Sequence, residues 1–182
     1  MSYRAAIITI SDKGAAGQRE DTSGPLLADA ARDQGLVVRE QMILPDEPDQ
    51  ISAALVRLAD SEEIDVILTT GGTGAAPRDR TPEATRAVID REMPGLAELL
   101  RFEGFNKTPL AVLSRGISGL RGECLIVNLP GSPKAVREGM ETLAPVLSHA
   151  IQMARAENLE HDVQGSDHHA HHHDHETEHD AH

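Results

Sequence analysis

What most constrains this chain is a set of short apolar runs: AAIITI (5–10), LVVREQMIL (36–44), IDVILT (64–69), LAVL (110–113) and CLIVNL (124–129). They are rich in β-branched residues and nearly continuous rather than alternating, the pattern of strands covered on both faces. The segments between them carry helix starts. Ser23-Gly24-Pro25 places a proline in a first turn, and Gly35 closes that helix. Asp49 is the expected cap of a second, with Ile51, Leu55 and Leu58 at helical spacing. Thr81-Pro82 opens a third that runs to Met93, where Pro94-Gly95 break it before a further helix over 96–105. Ser132-Pro133 opens the last, with Val136, Met140, Leu143 and Leu147 on one stripe and a kink at Pro145. Strand and helix alternate, which predicts an α/β fold, a three-layer α/β/α sandwich around a mostly parallel sheet. The stretch 113–123, with Gly116, Gly119 and Gly122, is expected to form a hairpin or an irregular excursion.

Charge divides the chain in two. The net charge is −13, yet no Lys or Arg follows Arg155, and nine of the ten histidines lie between His161 and His182. Residues 1–156 therefore read as a nearly neutral globular domain, and 157–182 as a disordered His- and acid-rich tail that cannot bury itself. The one cysteine, Cys124, excludes an internal disulfide and reads as a small buried hydrophobe. Aromatics at 2% and an acidic balance argue against nucleic acid as a partner, for want of stacking platforms and phosphate-binding charge. No apolar run approaches the ~20 residues that span a bilayer, and the start MSYRAAIITI lacks the shape of a signal peptide. A cytoplasmic protein with no membrane partner is expected.

Ligands of such sheets bind at the carboxyl ends of the strands. Four polar or glycine-rich segments should arrive there: Ser11-Asp12, Pro45-Asp46-Glu47, TTGGTGAAPRDRTPEAT (69–85) and NLPGSPKAV (128–136). Gly71, Gly72 and Gly74 are expected to adopt positive φ and turn backbone N–H groups toward an anion. The loop is neither a Walker A motif nor a GxGxxG fingerprint. Asp79, between Arg78 and Arg80, reads either as a ligand for a divalent cation or as a favourable charge at a helix start. Asp46 reads as a second such ligand or as a plain polar loop residue, and Arg78 as an offset to phosphate charge. Ser132 reads more simply as a helix N-cap than as a nucleophile, and the helix start it opens is itself suited to anions. His149, late in the last helix, supports no catalytic triad.

Together, ITISDKG (8–14), DTSGP (21–25), ILPDE (43–47), TTGGTGAAPRDRTPEAT (69–85), REMPGL (91–96), LSRGISGLRG (113–122) and LIVNLPGSPKAV (125–136) resemble the MogA/MoaB family of molybdenum-cofactor biosynthesis, which includes the gephyrin G domain. The likeness covers roughly residues 4–153. It implies the MoaB/Mog-like fold and a molybdopterin adenylyltransferase, which uses Mg²⁺ and ATP to make adenylyl-molybdopterin and pyrophosphate. By resemblance, Asp46 and Asp79 are the catalytic, Mg²⁺-facing aspartates. The nucleotide- and pterin-binding set is then Ser11, Asp12, Thr70, Gly71, Gly72, Thr73, Gly74, Arg78, Ser114, Arg115, Pro130, Gly131, Ser132 and Lys134. A homotrimer and a molybdate-insertion partner of the MoeA type are also implied. The alternatives are a non-catalytic MoaB-type protein that binds a pterin or nucleotide, and a metal-handling protein that acts through its tail. For the latter, His168, His169, His171, His172 and His173 stand among acids, a composition suited to Zn²⁺ or Ni²⁺, to mere solvation, or to an affinity tag.

Overall fold

The computed structural model describes residues 2–156. Four parallel strands make up most of the sheet: β1 (Arg4–Ile10), β2 (Val37–Leu44), β3 (Val66–Thr70) and, last in the chain, β6 (Cys124–Leu129). The short β4 (Arg91–Glu92) and β5 (Ser118–Arg121) complete the order β2-β1-β3-β6-β5-β4, with β5 antiparallel to both neighbours. The 113–123 excursion is thus a hairpin folded back on β6.

Alternate residues of the central strands serve two separate cores. Ile7, Leu68 and Val127 face α2 (Ser23–Asp33), α6 (Pro133–Leu143) and α7 (Leu147–Ala154), with α5 (Pro94–Lys107) on the same side. Ile8, Ile67 and Ile126 face α3 (Pro48–Ala59) and α4 (Thr81–Arg86). Both faces are covered, so both must be apolar, which is why these runs show no alternation. Cys124 lies buried in the second core, and burial pushes its thiol up to about 12. No helix of the described residues is long and apolar enough to cross a membrane.

Four expectations need correction. The run 110–113 is no strand; Pro109–Leu113 is a 3₁₀ turn against α5, with Leu110, Val112 and Leu113 exposed. Pro109 brings no N–H for a ladder, and β4 already holds that edge of the sheet. The 36–44 run is not covered on both faces: β2 is the other edge strand, and its residues alternate in exposure. The helix from Thr81 ends at Arg86, because the Asp90 N–H donates to the Leu120 carbonyl and the Met93 N–H to the Ser118 carbonyl, drawing 90–93 onto the sheet. Pro48, not Asp49, starts α3, placing Asp49 in its first turn. Elsewhere Pro145 falls between α6 and α7, as a proline inside a helical pattern should.

Candidate active site

Because β1, β2, β3 and β6 run parallel, the loops after them meet at one end of the sheet. They line a cleft of about 250 Å³ whose walls include Ser11, Asp46, Thr70, Gly71, Gly72, Asp79 and Gly131. The glycine turn forms its floor. Gly71 (φ +101°) and Gly72 (φ +62°) both lie in the left-handed region. A Cβ on Gly71 would collide with the Ile10 carbonyl, and one on Gly72 would come within 2.8 Å of Asp46 Oδ1 and strike the Thr81 hydroxyl. Gly74 departs from expectation, having no positive φ; its close neighbour is Asp79 Oδ2. The turn is pinned from beneath. The Thr81 hydroxyl donates to the Gly71 carbonyl at 3.1 Å, and the Thr70 hydroxyl to the Pro130 carbonyl at 2.7 Å.

The first two loops are stitched together by a reciprocal pair. The Asp12 N–H donates to Asp46 Oδ2 at 3.2 Å, and the Asp46 N–H donates to Asp12 Oδ1 at 3.0 Å. Ser11 begins the short helix α1 (Asp12–Ala15), its hydroxyl accepting from the Gly14 N–H. The remaining oxygen, Asp46 Oδ1, is buried without a hydrogen-bond partner. Such an atom is costly unless something fills its lone pairs. Burial pushes the Asp46 carboxyl above its ordinary value, and the charges of Asp12 and Asp79 add to this against the Asp12 N–H bond. Asp12 is held low by Arg78, which forks onto both its oxygens at 3.0 and 2.8 Å and also reaches Glu47 at 2.9 Å. Asp79 Oδ2 accepts from the Ala76 N–H at 3.0 Å.

Not every expected residue faces this cleft. Arg115 stands behind the loop, donating to the carbonyls of Gly74 and Asp79 and to Glu83, whose carboxyl it holds low. The Arg115 N–H donates to the Thr73 carbonyl, so both residues shape the turn. Ser114 and Pro130 line a separate, mainly apolar pocket between α5 and α6. Ser132 caps α6 by accepting from the Ala135 N–H, and exposed Lys134 lies 3.9 Å from Glu138. His168, His169, His171, His172 and His173 lie outside the described residues.

One wall of the cleft lies outside the residues that the sequence points to and is made by Thr9 and by Arg19 to Ser23. Asp21 organises it: Oδ2 accepts from the Thr9 hydroxyl at 2.7 Å, and Oδ1 accepts the N–H groups of Ser23 and Gly24 at the start of α2. The Ser23 hydroxyl donates to the Gly131 carbonyl across the cleft at 2.8 Å. The signal was an acid two residues before a helix start in DTSGP.

Residues 6–149 match the family described as "Probable molybdopterin binding domain". The molybdopterin adenylyltransferase of Helicobacter pylori strain J99 is 38% identical over 149 residues, 81% of this chain and 85% of that protein. The molybdenum cofactor synthesis protein cinnamon of Drosophila melanogaster is 44% identical over 155 residues, 84% of this chain; these span only 26% of the fly protein. Among solved structures, the molybdopterin biosynthesis enzyme MoaB of Thermus thermophilus is 51% identical, with a TM-score of 0.80 over 85% of this chain and 97% of that one.

Proposed function

The chain belongs to the MogA/MoaB family of molybdopterin-binding domains, and from that premise we propose that it is a molybdopterin adenylyltransferase. The observation that carries the reading is Asp46 Oδ1, buried, unpartnered and turned toward Gly72 in the same cleft as Asp79. Among the described residues no group of three or more His, Cys, Asp or Glu is gathered around a metal position. Two carboxylates plus substrate phosphates are nevertheless a usual donor set for Mg²⁺. Asp46 and Asp79 would hold the ion. Bound there, Mg²⁺ would neutralise phosphate charge.

The chemistry asks little covalent help of the protein. A terminal phosphate oxygen of molybdopterin bonds to the α-phosphorus of ATP. The bond from that phosphorus to the oxygen bridging to the β-phosphorus breaks, and pyrophosphate leaves with the electron pair. The attacking oxygen is already ionised, so no general base is needed. Catalysis then rests on positioning and charge complementarity. The 71–74 turn supplies the close backbone approach, Gly131 and the α6 start supply the facing wall, and Arg115 holds the turn rigid. Ser11, Thr70 and Ser132 fix the loops that shape the binding surface.

Three further assignments accompany this reading. The exposed apolar strip Phe102, Phe105, Leu110, Val112 and Leu113 on α5 and the 3₁₀ turn would be covered in a homotrimer. The product would pass to a molybdate-insertion protein of the MoeA type in the cytoplasm. Residues 157–182 would be a separate segment whose histidines bind Zn²⁺ or Ni²⁺. The central test is incubation of the pure protein with molybdopterin, ATP and Mg²⁺. Release of pyrophosphate with formation of adenylyl-molybdopterin is the expected result. Molybdopterin binding without pyrophosphate release would leave a binding protein instead.

A further inference from the structure

We propose that Arg78 is a positioning residue which, through Asp12, sets the orientation of the Asp46 carboxylate, rather than a ligand of the substrate phosphates. The proposal rests on the adenylyltransferase reading only for its kinetic arm.

An arginine at the rim of a polyanion site would ordinarily be assigned to phosphate. Here Nε and Nη2, the edge that would fork onto a phosphate, are engaged inside the protein. Nε and Nη2 form a fork onto Asp12, and Nη2 also donates to Glu47. Asp12 is in turn the residue whose N–H holds Asp46 Oδ2 and whose Oδ1 accepts the Asp46 N–H. The sequence of contacts runs from the third loop to the first and from the first to the second. Its end point is a carboxylate with one oxygen fixed outward on the Asp12 backbone and the other buried facing Gly72. Arg78 also adjoins Asp79 in the chain, so the same fork restrains the peptide that carries the second aspartate.

Stability does not account for this arrangement. The side chains of Arg78, Asp12 and Glu47 are 58%, 44% and 46% exposed, and ion pairs so exposed add little to folding. Their geometric effect is larger. A carboxylate free to rotate presents either oxygen to a cation, whereas the fixed one presents a single oxygen at one place, the preorganisation that electrostatic catalysis requires.

The two roles for Arg78 predict opposite signs. If Arg78 bound phosphate, removing Asp12 would free it and tighten nucleotide binding. If it positions Asp46, then Asp12→Ala and Arg78→Ala act on one unit and the double variant is no worse than either single. Two titrations decide between them: Mn²⁺ followed by electron paramagnetic resonance with α,β-methylene-ATP present, and the nucleotide alone by calorimetry. Each single variant should weaken Mn²⁺ binding by about tenfold and lower kcat similarly, with KM for ATP within about threefold of wild type. Glu47→Gln removes the charge from one of the three contacts and should shift both quantities in the same direction by about two- to threefold, which keeps the test alive if an alanine variant fails to fold. Tighter nucleotide binding in Asp12→Ala with weaker binding in Arg78→Ala would overturn the proposal, as would additive effects in the double variant. Should wild type show no adenylylation, the functional reading falls, while the Mn²⁺ titration still judges the positioning role.

Discussion

Two carboxylates, one buried and one with a single buried oxygen, sit at opposite ends of the sheet and are treated in opposite ways. Asp65, at the amino end of β3, has a side chain only 4% exposed, and its partners are complete. It accepts the Arg4 N–H at 2.7 Å, Arg4 Nε and Nη2 at 3.1 and 2.8 Å, and an Arg155 guanidinium N–H. Burial alone would raise its pKa, but the Arg4 bonds and the charges of Arg155 and Arg4 outweigh it and leave the carboxyl low. Asp46, at the carboxyl end, has one oxygen with no partner, and its carboxyl is pushed up. A carboxylate that closes a structure is satisfied by the chain, whereas one that awaits a ligand is not.

The largest expected effect breaks the unsatisfied end. Asp46→Asn and Asp79→Asn should each lower adenylylation at least tenfold, since a single charge contact at a reacting phosphate is commonly worth ~2–4 kcal/mol. Asp46→Asn, which relieves an unpartnered buried oxygen of its charge, should unfold at or above the wild-type temperature, and Asp79→Asn close to it. Wild-type turnover in either would remove that residue from the site.

The converse substitution breaks the satisfied end. Asp65→Asn should cost about 2 kcal/mol of stability, less than a fully buried pair, because Arg4 and Arg155 are 29% and 30% exposed and keep some water. It should leave kcat unchanged. The pH dependence follows from the sign of the shift. The folded pKa lies below the ordinary 3.8, so the contribution is fully present above that value. It is lost as pH falls through the folded pKa. Denaturant titrations from pH 6 downward should show the gap between wild type and Asp65→Asn closing only on the acid side of about 4. A gap that persists undiminished at the lowest pH would contradict it.

Gly72→Val sharpens the comparison by attacking the floor without removing a charge. A β-branched residue at φ +62° is strained by about 1–2 kcal/mol, and its Cβ would crowd Asp46 and Thr81. Affinity for nucleotide and pterin should fall more than stability does, and normal affinity for both would show that close backbone approach is not used.

The smallest effect on activity is expected from truncation after Asn158. The described chain leaves α7 at Arg155, beside Asp65 and away from the cleft. Calorimetry should find Zn²⁺ or Ni²⁺ binding mostly lost, and adenylylation intact. That binding should weaken as pH drops through ~6.5, where imidazole protonates. Equal metal binding in both proteins would place the metal in the body.

The central strands were legible because burial on both faces leaves a local mark, as in Ile7 and Ile8, each wholly buried in a different core. The run at 110–113 carried the same mark and misled, since an apolar tetrapeptide satisfies a strand, a turn against a helix, or a surface that meets a partner. Ser132 was readable as a cap because its bond to Ala135 spans three residues. Asp21 is equally local, bonding Ser23 and Gly24, yet no site role was drawn from it. Arg115 belongs to the binding set only by resemblance, and Glu83 and two carbonyls hold it behind the loop.

The sequence by itself determined the alternation of strand and helix, the four loops at one edge, and the glycine turn with its acids, because these depend on spacing of a few residues. Only the tertiary structure decided which carboxylate oxygen is left without a partner, and which guanidinium groups are already engaged. Arg78 reaches Asp12 across 66 positions of chain, and Asp12 reaches Asp46 across 34. No local pattern encodes such pairs; they exist because parallel strands bring distant loops to one rim, where each charge is assigned by what lies within 3 Å in space.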